Sequence, residues 1–349
     1  MRGLSTAVLL LAVALGASAG CATNPYQPGA AATVQLKARA MESLKQGIRY
    51  PHVPVVRCQA IEALRRAAPE EGLPWIRSAL HDEAAGVRFA ACVALGELRD
   101  GGSRTRFENL LSDPNPSVQL AAVFALHRLG DTRQSSQLAE ALLYDRDSGV
   151  RRNAVLLFGL LGEPGAVKLL ARVMEDSDEG LRLQALESMA RLGSPQACEQ
   201  LLFHAHSGLG ARETFAVNAL AETQDRRFFD LYQERLRRAR HPETRMAAAR
   251  ALGLLGDPAG LAEARRLLVF DRPDRSAAVA KDDSPEVQIV RVRQLAALAL
   301  GAIGRSDALP DLARAIHEPY DPRVELAGAL AVLQILRSDA RDVWGSPGG

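Results

Sequence analysis

The chain has 349 residues, of which 47% are hydrophobic and only 5% aromatic, with a formal net charge of +2. That apolar content is ample for a folded core and excludes an intrinsically disordered chain. The near-neutral balance lacks the basic excess that nucleic-acid binding normally shows, so no nucleic-acid partner is expected.

Residues 1–20 read as a signal peptide. Arg2 supplies a short positive region, and "AVLLLAVALGA" is apolar but too short for the ~20 residues of a membrane span. "SAGC" resembles the lipobox of bacterial lipoproteins, whose cysteine is diacylated after the cut; here that residue is Cys21. Ser18 departs from the leucine usual three positions earlier. The resemblance implies a lipoprotein tethered to a leaflet without spanning it. Ala22 in place of Asp after the cysteine implies the outer membrane, facing the periplasm. The alternative is ordinary cleavage after Ala19, which yields a soluble periplasmic or secreted protein. Residues 21–33, containing "ATNPYQPGAAAT", read as a flexible tether.

From residue 34 to 336 one pattern recurs. "VRFAACVALGELRD" starts at Val87, "VQLAAVFALHRLGD" at Val118, "VRRNAVLLFGLLGE" at Val150, "LRLQALESMARLGS" at Leu181, "TRMAAARALGLLGD" at Thr244 and "VRQLAALALGAIGR" at Val292. Weaker copies start at Val56, Arg212 and Val324. A fixed period of this length is the signature of a solenoid. The fifth position of each copy is small (Ala60, Ala91, Ala122 and so on to Gly328), which lets helix backbones approach. The ninth is large and apolar (Leu64, Leu95, Leu126, Phe158 and so on to Val332), which fills the space between helices. Gly130, Gly162, Gly193 and Gly256 stop their helices by accepting the left-handed cap conformation. An acidic residue or Ser, often followed by Pro, opens the next helix, as in "GDPAG" and "GSPQA". Each repeat is therefore predicted to be two helices joined by a short turn, with no strand.

The pattern V-R-x-x-A-x-x-A-L-G-x-L-G-D resembles HEAT repeats of the phycobilisome-lyase type. The resemblance implies an all-α, right-handed α-solenoid of about nine HEAT-like hairpins, ~80 Å long at 8–10 Å per layer. It also implies a structural ladder in which an Asp ending one helix meets an Arg starting the next. Asp82 with Arg88, Asp145 with Arg151 and Asp176 with Arg182 share one six-residue spacing, while Asp113 precedes Gln119 and leaves a missing rung. About sixteen extra residues separate the copies at Thr244 and Val292. They are predicted to form an exposed insert loop at about 271–287, and residues 337–349 a disordered tail.

Candidate chemistry is sparse. HEAT-like hydroxylases of a modified lysine hold two irons with several His-Glu pairs, and this chain has one such pair, His317-Glu318. Cys198, His204 and His206 lie close in sequence, but the two histidines point about 200° apart on a helix. Cys58, Cys92 and Cys198 show no C-x-x-C spacing; one disulfide, Cys58 to Cys92, is the alternative to free core cysteines. The spacing supports no Ser/His/carboxylate arrangement and no phosphate loop. No cofactor, metal site or catalytic role is therefore expected; a bilin-lyase-like enzyme or enzyme subunit is the alternative.

The remaining signal is an apolar row opposite the core stripe. Phe89, Val93, Leu120, Phe124, Leu156 and Leu183 occupy the third and seventh positions of four consecutive copies, and Leu298, Leu326 and Leu330 form a second cluster. In HEAT solenoids these positions line the concave surface. The row is predicted to be a groove that takes a protein partner's peptide or helix; the alternative is that lateral packing between neighbouring repeats buries part of it. The expected function is a scaffold at the bacterial cell envelope.

Overall fold

A computed structural model describes residues 29–273 and 284–344. The predicted signal peptide, Cys21, the first part of the predicted tether and the central part of the predicted insert lie outside the described residues. Every described element is helical.

Nine outer helices alternate with nine inner ones. The outer set is α1 (Ala30–Gly47), α3 (Pro69–Ser78), α5 (Arg104–Leu110), α7 (Ser136–Tyr144), α9 (Val167–Leu170), α11 (Pro195–His204), α13 (Phe229–Arg238), α15 (Leu261–Leu268) and α17 (Leu309–His317). The inner set is α2 (Pro54–Ala67), α4 (Ala85–Glu97), α6 (Pro116–Arg128), α8 (Ser148–Leu161), α10 (Glu179–Arg191), α12 (Gly210–Glu222), α14 (Pro242–Leu254), α16 (Pro285–Ile303) and α18 (Pro322–Trp344). The inner helices carry the repeated pattern.

Local chemistry sets the boundaries. Asn115, Asp147, Asp178, Ser194 and Ser284 cap the following helices by accepting hydrogen bonds from first-turn amides. Proline stands first in α2, α6, α11, α14 and α16, where its missing N–H costs nothing. Gly130, Gly162, Gly193 and Gly256 all have positive φ, between 79° and 87°, as the cap reading requires. Where the repeat lacks glycine there, Arg99 and Gln224 are forced into the same region at φ 52°. The small fifth-position residues Ala60, Ala91, Ala122, Ala154, Ala185, Ala216, Ala248 and Ala296 are fully buried. The ninth-position side chains are buried with them. Two boundaries differ from expectation: α16 begins at Pro285, inside the predicted loop, and α18 continues to Trp344, through most of the predicted tail. Both extensions prolong a helix whose period had already been established.

The solenoid closes on itself. Each inner helix packs on the next, and α18 then packs on α2 and α1. One hydrophobic cluster runs from Leu36 to Leu126 and resumes from Met246 to Ile335, so the two ends of the chain share a core. At the seam a Cβ on Gly47 would lie 2.5 Å from Leu326 Cδ2 and 3.0 Å from Ala60 Cβ, so only glycine lets α1 approach this closely. Arg337 Nη1 also donates to the Arg66 carbonyl at 3.3 Å. The molecule is a ring rather than the open rod that summed layer spacings suggest. Nine layers close a circle when each turns by about 40°, a rotation set by small differences in side-chain volume between faces.

Candidate functional site

The ring has a lumen lined by the inner helices, a front rim where those helices start and a back rim where they end. The apolar row divides along this lumen. Phe124 is fully buried and Leu120 is 5% exposed, so neither is available to a partner. A Cβ on Gly96 would lie 2.9 Å from the Phe124 ring, which shows how tightly α4 and α6 enclose it. That part of the predicted groove is wall. Phe89, Val93, Leu156 and Leu183 are half-buried, with the first two packed against both core clusters. Closure brings the second cluster onto the same lumen. Leu298, Leu326 and Leu330 line a pocket of 330 Å³ with Cys58, Gln59, Glu62 and Arg66 across the seam.

The rest of the lumen lining is charged. Arg65 holds Glu62 through two hydrogen bonds of 2.9 and 2.6 Å and reaches Glu97 at 3.3 Å. Arg66 also bonds Glu62. On the facing arc Arg191 bonds Glu187 at 3.2 Å and lies 3.9 Å from Glu222, which Arg250 holds. Four guanidinium groups thus meet four carboxylates, from α2, α4, α10, α12 and α14. Burial raises the Glu62 carboxyl, but Arg65 and Arg66 outweigh it and leave the group below its ordinary value. Burial likewise works against Glu222, and Arg250 overcomes it. For Glu97 burial wins over the attraction of Arg65, and its carboxyl is pushed up. Arg191 also attracts Glu97, and Arg66 attracts Glu222, across the lumen, while the ion pairs themselves stay within each arc.

The Asp/Arg ladder exists with different rungs. Arg88 donates to the carbonyl of Asp82, six residues back, at 2.9 Å, and its other nitrogens take the carboxylate of Asp113 at 2.8 Å. Arg57 reaches Asp82 at 2.8 Å and Arg151 reaches Asp176 at 3.1 Å in the same way. Each side-chain pair therefore links a repeat to the next, 25 residues on. The predicted pairs Asp82–Arg88, Asp145–Arg151 and Asp176–Arg182 survive only as backbone contacts, through the aspartate carbonyls. Asp113 is a full member of the ladder, and Gln119 keeps the carbonyl bond at 2.7 Å.

Other candidates separate in space. His204 ends α11 with its ring edge-on to Phe203, Cys198 sits half-buried on that helix, and His206 is exposed beyond it. Among the described residues no three His, Cys, Asp or Glu side chains come together in a way that could hold a metal ion. Cys58, Cys92 and Cys198 are free, and burial pushes all three thiols up. No described helix is long and apolar enough to cross a membrane.

Two features escape sequence inspection. Of the nine exposed large hydrophobic side chains among the described residues, all but Val34 lie on the front rim: Val53, Val55, Tyr144, Phe203, Leu209, Val269, Val287 and Tyr320. They stand where outer helices end and inner helices begin, outside the repeated pattern. On the back rim, His127 Nδ1 lies 2.7 Å from Ser135 Oγ and His127 Nε2 lies 2.9 Å from Glu163 Oε1. His127 and Ser135 flank the α6–α7 connection and Glu163 comes from the connection that follows α8 in the next repeat, and their spacing carries no motif.

The family model for HEAT repeats matches residues 41–126, 94–156 and 135–209. No curated protein matches the chain. Among solved structures, human deoxyhypusine hydroxylase in complex with glycerol is similar at 17% identity and a TM-score of 0.37, over 87% of this chain and 98% of that one. The Escherichia coli protein YibA is similar at 16% identity and a TM-score of 0.34, over 78% of this chain and 95% of that one. Over the described residues the protein is an all-α solenoid closed into a ring, and its residues 41–209 match the HEAT-repeat family model.

Proposed function

We propose that the protein is an interaction scaffold at the bacterial envelope, tethered through a diacylated Cys21, which receives an apolar segment of a protein partner at its front rim. The observation that carries this reading is that eight exposed large hydrophobics among the described residues stand along that rim, beside a lumen lined in part by half-buried Phe89, Val93, Leu156, Leu183 and Leu298. Exposed apolar side chains on one surface mark interaction sites more often than singly scattered ones. The charged network shares this lumen, and an apolar segment cannot displace it without stranding ions. This modifies the groove read from sequence: the partner meets the rim and this apolar lining, and Leu120 and Phe124 support the wall behind.

The test is affinity capture from solubilised native membranes with cross-linking. A partner recovered with the wild-type chain and with Val34→Ser, but lost with Phe203→Ser combined with Tyr144→Ser, supports the reading. Equal recovery by all three overturns it. Cys21→Ala is expected to move the protein from the membrane to the soluble fraction; unchanged fractionation refutes the anchor.

A further inference from the structure

The back-rim trio has an order that chemistry can use. His127 ends α6, Ser135 immediately precedes α7, and Glu163 follows the Gly162 cap of α8. Ser135 is half-buried and the His127 side chain is 17% exposed, while Glu163 stands 57% exposed at the outer end. The hydroxyl and the carboxylate occupy opposite nitrogens of one imidazole, at 2.7 and 2.9 Å. With Nε2–H donated to Glu163, Nδ1 is unprotonated and accepts from Ser135 Oγ, which is the tautomer a general base needs. The two helix ends reinforce this polarity. His127 stands in the last turn of α6, and Ser135 at the positive end of the nine-residue α7, where negative charge developing on the carbonyl oxygen of an adduct is favoured.

A pocket of 620 Å³ opens on the His127 and Glu163 side of the trio, lined by Arg99, Arg128, Leu129, Gly130 and Leu161 with those two residues, and Ser135 reaches it only through His127. Arg99 and Arg128 have no ion-pair partner among the described residues, and Arg128 Nε is buried without a hydrogen bond. An anionic group on a ligand would meet both.

We propose that Ser135, His127 and Glu163 form a nucleophilic site for carboxylic esters that carry an anionic group. This goes beyond the scaffold role and does not depend on it. Ser135 Oγ attacks the ester carbonyl as its proton passes to His127 Nδ1. Collapse of the tetrahedral adduct breaks the acyl–oxygen bond, and the leaving alkoxide takes that proton to depart as the alcohol. Water then attacks the acyl-serine with His127 again as base, releasing the carboxylic acid and restoring the hydroxyl. Glu163 stays ionised throughout and holds the imidazolium.

Two measurements test this. The wild-type chain is treated with a fluorophosphonate probe and the adduct is mapped by mass spectrometry, which requires no variant to fold. The expected adduct is on Ser135; no adduct there overturns the proposal. Hydrolysis of 4-nitrophenyl hemisuccinate is then followed in the wild type, Ser135→Ala, His127→Gln and Ser136→Ala, with helicity checked by circular dichroism. The first two substitutions are expected to lower the rate about 100-fold or more, and the neighbouring Ser136→Ala to leave it within about 2-fold. Replacing Arg99 and Arg128 by Gln is expected to raise KM for the hemisuccinate and not for 4-nitrophenyl acetate. Hydrolysis that persists in Ser135→Ala refutes the nucleophile.

Discussion

Leu326→Ala separates a closed ring from an open solenoid. Leu326 occupies the third position of the last inner helix, which in an open array faces solvent; there truncation costs at most about 0.5 kcal/mol. In the ring the residue is 3% exposed because α1 and α2 come round to cover it. Removing three carbons at ~0.8 kcal/mol each gives about 2.4 kcal/mol, and the residual cavity raises the expected cost to about 3 kcal/mol. Gly47→Ala supplies the second arm, since its new methyl would meet Leu326 Cδ2 at 2.5 Å. In the double variant the methyl enters the space that Leu326 vacates, so the two effects should fail to add by about 1 kcal/mol or more. Urea denaturation followed at 222 nm gives all four corners of the cycle. A loss under about 0.5 kcal/mol for Leu326→Ala, together with additivity in the double variant, would show that the chain ends do not meet.

The ladder predicts that Asp113→Asn costs about 3 kcal/mol, because it strands Arg88 in a pair whose side chains are 14% and 4% exposed; thermal unfolding checks it. Gln224→Gly relieves a positive φ at an exposed position and should gain about 1 kcal/mol in the same assay. Phe124→Ala should lose about 3–5 kcal/mol as a fully buried aromatic, whereas Phe89→Asp should keep wild-type helicity by circular dichroism; unfolding of Phe89→Asp refutes its place on the lumen. Acid should weaken the ring. Arg77 holds Asp100 below its ordinary value, and Arg88, against burial, does the same for Asp113, as the lumen arginines do for Glu62 and Glu222. Groups depressed on folding stabilise above the unfolded value and lose that contribution as pH falls through the folded one. Glu97 is raised, so its ionised form weakens the ring at neutral pH and protonation relieves it. Four groups oppose one, and the urea midpoint should fall between about pH 5 and pH 3. A midpoint that stays flat or rises contradicts the pairing.

What the sequence determined by itself was everything local. Helix starts follow from Asn115, Asp147 and Ser194, stops follow from Gly130, Gly162, Gly193 and Gly256, and the buried stripe follows from a period that small and large residues repeat in every copy. These features depend on bonds within one or two turns, so composition and spacing reveal them. The ladder was half legible: its residues stand at the right positions, but an arginine can reach either the carbonyl behind it or the carboxylate ahead, and only packing between repeats selects both. Closure, and with it the burial of Leu326, the joining of two apolar clusters and the charged network of the lumen, was decided by tertiary structure. A difference of a few degrees in the turn per layer is invisible in any single repeat, yet summed over nine it determines whether the ends of the chain meet. The contact of His127 with Ser135 is local to the α6–α7 connection, but Glu163 joins them from the next repeat only once the layers are stacked.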